Sequence, residues 1–127
     1  MVQLTATQIQ VLRRFAVDEA AFTRQGRRWL HLIQAHQEEI IQSYAISSAL
    51  RRHVDRASGE AARLIESLST HQPGVIDAAL TDPLVAALHE VDTRASEGLR
   101  SAIAEIRAGL ERLQGRTILQ ALGPRDV

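Results

Sequence analysis

The segment TDPLVAALHEVDTRASEGLRSAIAEIRAGLERL, residues 81–113, decides the fold class of this chain. Its apolar residues recur at steps of three and four, which places them on one face of an α-helix. They are Leu84, Leu88, Val91, Ala95, Leu99, Ala102, Ile106, Leu110 and Leu113, and Thr117 continues the series. Thr81-Asp82-Pro83 is typical of a helix start, because a capping side chain precedes proline at the first helical position. The pattern predicts one long final helix that ends at Gly123-Pro124, in which the glycines either allow close helix packing or mark a break near Gly98.

A helix of that length has a consequence for assembly. Roughly forty helical residues span about 60 Å at 1.5 Å per residue. This exceeds the diameter of a compact domain of 127 residues. Unless the helix breaks, its end must therefore project or pack against a second subunit, and we expect a homodimer.

A second apolar stripe precedes this segment and uses the same helical spacing. It consists of Phe22, Gly26, Trp29, Ile33, Gln37, Ile40 and Tyr44. The stripe fits either one long helix or two helices that meet near His36. An aromatic stripe of this kind forms either packed core or the wall of a ligand pocket. We expect the core or pocket to be formed by the apolar members of the stripe together with Leu88 of the final helix. The apolar members are Phe22, Trp29, Ile33 and Ile40.

The rest of the chain also reads as helix. Thr5-x-x-Gln8 is a plausible capping box for a helix over Thr5–Ala16, and Asp18 can cap the helix that follows. Leu50, Val54 and Ala57 extend the apolar face as far as Gly59, and Ala61–Leu68 is a separate short helix. Ser69–Gly74 reads as a loop because it contains a Pro-Gly pair. No segment alternates with period two, so we predict a single all-α domain over residues 1–127.

Composition excludes several classes of protein. Fifteen arginines balance fifteen acidic residues, and this neutrality argues against a nucleic-acid partner. No apolar run approaches the roughly 20 residues of a membrane span, and Met1–Thr7 does not resemble a signal peptide. We therefore expect no membrane partner and a cytoplasmic location. The chain has no cysteine, and so it has neither a disulfide framework nor a thiolate metal site.

Catalytic and metal-binding patterns are also missing from the sequence. No serine stands in a Gly-x-Ser-x-Gly context, and no glycine-rich phosphate loop occurs, so we expect no catalytic residues and no enzyme. His31, His36, Glu38 and Glu39 are close in sequence, yet a di-iron bundle requires Glu-x-x-His, which is absent. We interpret these four residues as ordinary surface residues and predict no metal site. His89 follows Leu88 at the edge of the final apolar face, where it is either a boundary histidine or a haem ligand.

The order of these segments resembles the globin domain of bacterial globin-coupled sensors. Residues 15–22 look like the helix entry of that family, and Ile40-Ile41-Gln42-Ser43-Tyr44 looks like the end of its second helix. Residues 64–68 and 74–77 fit the variable middle, and Glu97-Gly98-Leu99 fits the family's Gly-Leu step. The resemblance covers nearly the whole chain. It implies a globin-like helical bundle in which Tyr44 faces the ligand.

Departures from the family pattern bear on haem. Ser43 replaces a phenylalanine, and Arg94 stands where the resemblance places the haem-ligating histidine. The expected Trp-Tyr pair is absent, with Ser101 and Ala102 nearby instead. A charged Arg94 inside an apolar haem pocket would be costly without a partner. The chain is most similar to the haem-free sensor globins of bacterial stress-signalling scaffolds, which are dimeric regulators.

Three functions follow from this interpretation. The first is a haem-free sensory or regulatory domain that signals through helix packing and a dimer interface to a protein partner or output domain. The second is a haem-binding gas sensor with His89 as proximal ligand and Tyr44 as distal hydrogen-bond donor. The third is a helical chaperone or adaptor, for example for secretion or flagellar assembly, that binds a partner helix in an apolar groove.

Overall fold

The computed structural model describes residues 23–122 together with residues 6, 9, 10 and 12–14. Six α-helices lie within 23–122: α1 (Arg24–Ala35), α2 (Gln37–Ile46), α3 (Ser48–Ser67), α4 (Ala78–Asp92), α5 (Glu97–Glu111) and α6 (Ile118–Leu122). The described residues of the predicted first helix are helical as well. The prediction of an all-α bundle is confirmed. None of the described helices is long and apolar enough to cross a membrane.

The aromatic stripe forms two helices that meet at His36. The backbone of His36 leaves the helical region, with φ −119° and ψ 25°, and so it ends α1 and precedes α2. Thr23 caps α1, because its Oγ1 accepts a hydrogen bond from the Gly26 amide at 3.0 Å. The predicted cap Asp18 and the predicted core residue Phe22 lie outside the described residues.

Helix α3 is continuous, and the predicted break at Gly59 was wrong. The helix begins after Ser47, whose Oγ accepts a hydrogen bond from the Leu50 amide at 3.0 Å, and it continues to Ser67. A glycine in a helix interior costs about 1 kcal/mol relative to alanine. Burial of the apolar face of α3, which includes Ala57 and Leu64, outweighs that cost.

Helix α4 begins at Ala78, five residues earlier than the predicted first helical residue Pro83. The predicted loop Ser69–Gly74 is confirmed, and it leads to Asp77, whose carboxylate accepts a hydrogen bond from the Ala79 amide at 3.0 Å. Pro83 therefore lies inside the helix. Because proline has no N–H, α4 lacks the hydrogen bond that this position would make four residues back.

The predicted long C-terminal helix was also wrong. Helix α4 ends at Asp92, and α5 begins after Ser96, whose Oγ accepts a hydrogen bond from the Leu99 amide at 3.4 Å. Helix α5 has 15 residues, which span about 22 Å. A second turn at Gly115, with φ +83°, separates it from α6. The apolar residues on either side of the Thr93–Ser96 turn are still spaced by a helical step of four. The apolar spacing alone therefore does not reveal the break.

Within the described residues, the apolar core contains two clusters along the α3–α4 hairpin. The first cluster contains Leu50, Ala87, Val91, Leu99, Ala102 and Ile103, and the second contains Ala57, Leu64, Ile76, Leu80 and Ile118. Two backbone hydrogen bonds join the loop before α4 to the turn after α5. The Ile76 amide donates to the Arg116 carbonyl at 2.7 Å, and the Gly115 amide donates to the Ile76 carbonyl at 2.8 Å.

Candidate ligand-binding site

An open apolar cavity of about 370 Å³ lies beside the first core cluster, where α1 to α5 converge. Ligand sites in proteins typically have volumes of about 300–1,000 Å³. The lining residues are Trp29, Leu32, Ile33, Ile40, Tyr44, Leu50, Val54, Leu84, Ala87, Leu88, Val91, Leu99, Ala102, Ile103, Ile106 and Leu110. Each of the helices α1 to α5 contributes residues to this wall.

The wall of the cavity has very little polar chemistry. Among the described lining residues, the polar side-chain groups are the Tyr44 hydroxyl and the Trp29 indole N–H. No carboxylate, cation or imidazole belongs to this part of the wall. Because a buried charge without a partner is costly, the cavity suits a molecule whose inserted portion is uncharged and apolar.

Trp29 is held against α5 by a close approach to Gly109. A Cβ atom at position 109 would lie 2.8 Å from Trp29 Cζ2, so only glycine leaves room for the indole as it stands. The neighbouring Arg28 forms a two-pronged pair with Glu105 of α5. Arg28 Nε and Nη2 donate to the two carboxylate oxygens at 2.9 and 2.8 Å. This hydrogen bonding from Arg28 holds the pKa of the Glu105 carboxyl below its usual value.

The structure brings most of the predicted pocket residues together. Trp29, Ile33, Ile40 and Leu88 all line the cavity, as does Tyr44. Ile33 and Tyr44 are 45% and 40% exposed, which places them at its mouth.

The two residues expected of a haem site are placed differently from each other. Tyr44 lines the cavity, whereas His89 is exposed on α4 and is not among the lining residues. The neighbouring residue, Leu88, faces the cavity instead. The described cavity therefore does not bring His89 and Tyr44 together.

Arg94 lies outside the cavity as well. It follows α4, is exposed, and donates from Nη1 to the Glu90 carbonyl at 3.1 Å. The same nitrogen lies 3.8 Å from Glu90 Oε2. The Arg94 guanidinium is therefore not buried in an apolar pocket, and the energetic cost expected from the sequence is absent.

The sequence did not predict a polar contact that lies near the α1–α2 junction. Ser96 donates to the Glu39 carboxylate twice, from Oγ at 2.6 Å and from the backbone amide at 2.9 Å. His36 Nδ1 lies 3.7 Å from the same carboxylate. The two hydrogen bonds from Ser96, together with His36, hold the pKa of Glu39 below its ordinary value. The partners are 57 residues apart, so local spacing could not predict them.

The histidine and carboxylate residues weighed as metal ligands do not assemble into a site. Of the described side chains, no group of three or more His, Asp or Glu residues could hold a metal ion. His36 and Glu39 do approach each other, while His31 and Glu38 are exposed.

Fold and cavity together define this protein as an all-α helical bundle with an apolar cavity of ligand size. Compared with known proteins, the chain matches no protein family, no curated protein and no solved structure. The resemblance to sensor globins stays a prediction.

Proposed function

We propose that this chain is a non-catalytic sensory or regulatory domain that binds a small apolar molecule in the cavity. The observation that carries this proposal is a space of about 370 Å³ with an almost wholly apolar wall, bounded by five helices. Burial of an apolar ligand there is favourable in proportion to the area removed from water. A ligand that prefers one packing of these helices over another shifts the population toward it, which is the basis of a signal.

The signal would pass to a protein partner or an output domain, in line with the resemblance to sensor globins. A homodimer and a cytoplasmic location belong to the same proposal. The haem-free form is favoured because the described cavity wall contains no imidazole.

The haem-binding alternative requires His89 to turn from the surface into the cavity. An absorbance spectrum from 350 to 650 nm, recorded before and after adding haemin, tests it directly. A Soret band that disappears in His89→Ala would support the gas sensor. An unchanged spectrum would reject it.

The adaptor alternative draws on a different observation. Ile33, at the cavity mouth, and Ile41 and Ile46 of α2 are 45%, 56% and 69% exposed. Exposed apolar residues beside an apolar cleft suit the face of a partner helix. Co-purification with one exported or flagellar protein, lost in Ile41→Glu, would favour this function.

Ligand binding is tested by filling the cavity from within. Ala102 lines the cavity and is 5% exposed, whereas Ala104 on the same helix is exposed. We expect wild-type protein to bind the fluorescent probe 1-anilinonaphthalene-8-sulfonate, with quenching of Trp29, the single tryptophan. Ala102→Leu should weaken this binding about tenfold or more, since its side chain occupies the site, and the matched control Ala104→Leu should leave it unchanged. Equal binding by all three proteins would contradict the proposed function.

A further inference from the structure

Helix α2 forms part of the cavity wall and buries little surface of its own. Of its ten residues, Ser43 is buried and seven are exposed. The helix is bounded by non-helical residues at both ends, His36 at φ −119°, ψ 25° and Ser47 at φ −109°, ψ 108°. Elements with little buried apolar surface open at low free-energy cost. α2 therefore lies between two backbone joints and has little core of its own.

Two residues of α2 form one side of the cavity. Ile40 is half-buried and Tyr44 is 40% exposed, and both line the space opposite residues of α4 and α5. A rotation of α2 about His36 and Ser47 would remove both side chains from the wall. The cavity would then be open on the side where these two residues lie.

A side-chain contact ties the first turn of α2 to the start of α5, while Arg51 of α3 donates to two carbonyls at the other end of α2. Glu39, in the first turn of α2, accepts the two hydrogen bonds from Ser96, the capping residue of α5. Hydrogen bonds to a carboxylate are among the stronger ones in proteins. The Ser96 hydroxyl also accepts from the amide of Leu99, a cavity-lining residue. The same contact therefore joins α2 to the start of α5 at the edge of the cavity.

The neighbours of this contact restrain the α1–α2 joint. The His36 imidazole lies beside Glu39 and against Gly98 of α5, where an added Cβ would come within 3.3 Å of His36 Cε1. His36 is thus held between Glu39 and α5. Release of Glu39 frees one side of the joint about which α2 would turn.

We infer that α2 is the movable wall of the cavity and that the contact between Glu39 and Ser96 is the latch that holds it closed. This inference rests on the proposed function for what enters the cavity. The movement of α2 and the contact that restrains it do not depend on which ligand binds. The proposed function and the movement of α2 can therefore be disproved separately.

Hydrogen–deuterium exchange of the full unliganded chain tests the latch. Glu39→Ala should raise the exchange rate of the α2 amides about three- to tenfold, because the latch no longer opposes local opening, while α3 and α4 stay unchanged. Glu38→Ala is the matched control, since it removes an exposed carboxylate from the same helical turn. Equal α2 exchange in Glu39→Ala and in wild type overturns the inference, whatever the cavity binds.

A conservative variant guards against a general loss of structure. In Glu39→Gln the amide oxygen can still accept one hydrogen bond from Ser96, so α2 exchange should fall between wild type and Glu39→Ala. Faster exchange throughout the chain in both variants would indicate general destabilisation and would overturn the assignment of α2 as a separately moving wall.

Stopped-flow binding of 1-anilinonaphthalene-8-sulfonate tests the link to the cavity. Glu39→Ala should speed association and dissociation together by about three- to tenfold, with a smaller change in affinity, because the wall opens more often. Unchanged rates for a probe that Ala102→Leu excludes would overturn the role of α2 as the entrance. If the probe binds Ala102→Leu as it binds wild type, the proposed function is overturned instead. Deuterium exchange alone would then test whether the contact between Glu39 and Ser96 holds α2 in place.

Discussion

Alanine substitutions at two helical glycines distinguish the effect of helix propensity on stability from the effect of side-chain packing. A Cβ at Gly109 would lie 2.8 Å from Trp29 Cζ2, whereas a Cβ at Gly59 would meet nothing within 4 Å. Gly109→Ala should lower the free energy of unfolding by about 1–2 kcal/mol, the overpacking cost less the gain in helix propensity. Gly59→Ala should raise it by about 0.5–1 kcal/mol. Urea unfolding followed by circular dichroism measures both, and stabilisation by both substitutions would contradict the contact between Trp29 and Gly109.

The charge state of Glu39 should depend on Ser96. Hydrogen bonds from the Ser96 side chain, then from its backbone, hold the Glu39 pKa below its ordinary value of 4.5. A carboxyl with a lowered folded pKa contributes stability above its unfolded pKa and loses it as pH falls through the folded pKa. The stability difference between wild type and Glu39→Ala should therefore be present at neutral pH and shrink below pH 4.5.

Carboxyl NMR titration checks this assignment residue by residue. Ser96→Ala should raise the pKa of Glu39 toward its ordinary value, because the stronger of the two hydrogen bonds is lost. The pKa of Glu105 depends on Arg28 and should stay lowered in the same variant. A Glu39 pKa that is identical in wild type and Ser96→Ala would show that this contact does not form in solution.

At the scale of elements, capping residues decide where helices begin. In the described part of the chain, five residues that precede helices accept a side-chain hydrogen bond from the helix that follows: Thr23, Ser47, Asp77, Ser96 and Thr117. For α4 the sequence predicted a start at Thr81-Asp82-Pro83 instead of Asp77, because capping residue types occur near several plausible starts. The residue that caps is the one at which the chain must turn to keep its apolar face on the core.

Ser47 provides a test of this principle. It ends α2, caps α3 and is buried, whereas the adjacent Ser48 is exposed. Ser47→Ala should cost about 1 kcal/mol of stability, since the Leu50 amide loses its acceptor. The control Ser48→Ala should change stability by less than about 0.5 kcal/mol. Equal thermal midpoints for the two variants would rule out a capping role for Ser47.

At the scale of the whole molecule, the homodimer is still a prediction, but the reason for expecting it has changed. A projecting 60 Å helix no longer requires it, because α5 spans only about 22 Å. Exposed apolar residues of the described part of the chain offer a surface for it; they include Ile33 and Val75, each 45% exposed, and Ile41 and Ile46, which are 56% and 69% exposed. Sedimentation equilibrium should give the mass of two chains for wild type and of one chain for Ile41→Glu. A single-chain mass for wild type would remove the dimer from the proposal.

The sequence by itself determined the all-α class, the loop at Ser69–Gly74 and the residues that share a helical face, because these depend on local periodicity and turn chemistry. The break near His36 was one of two alternatives that the stripe allowed. Only the tertiary structure decided that the final segment folds back at Thr93–Ser96, that Trp29 rests on Gly109 and that Glu39 reaches Ser96. The physical reason is that an apolar period states which side of a helix is buried. It does not state where the chain reverses, or which distant residues then meet.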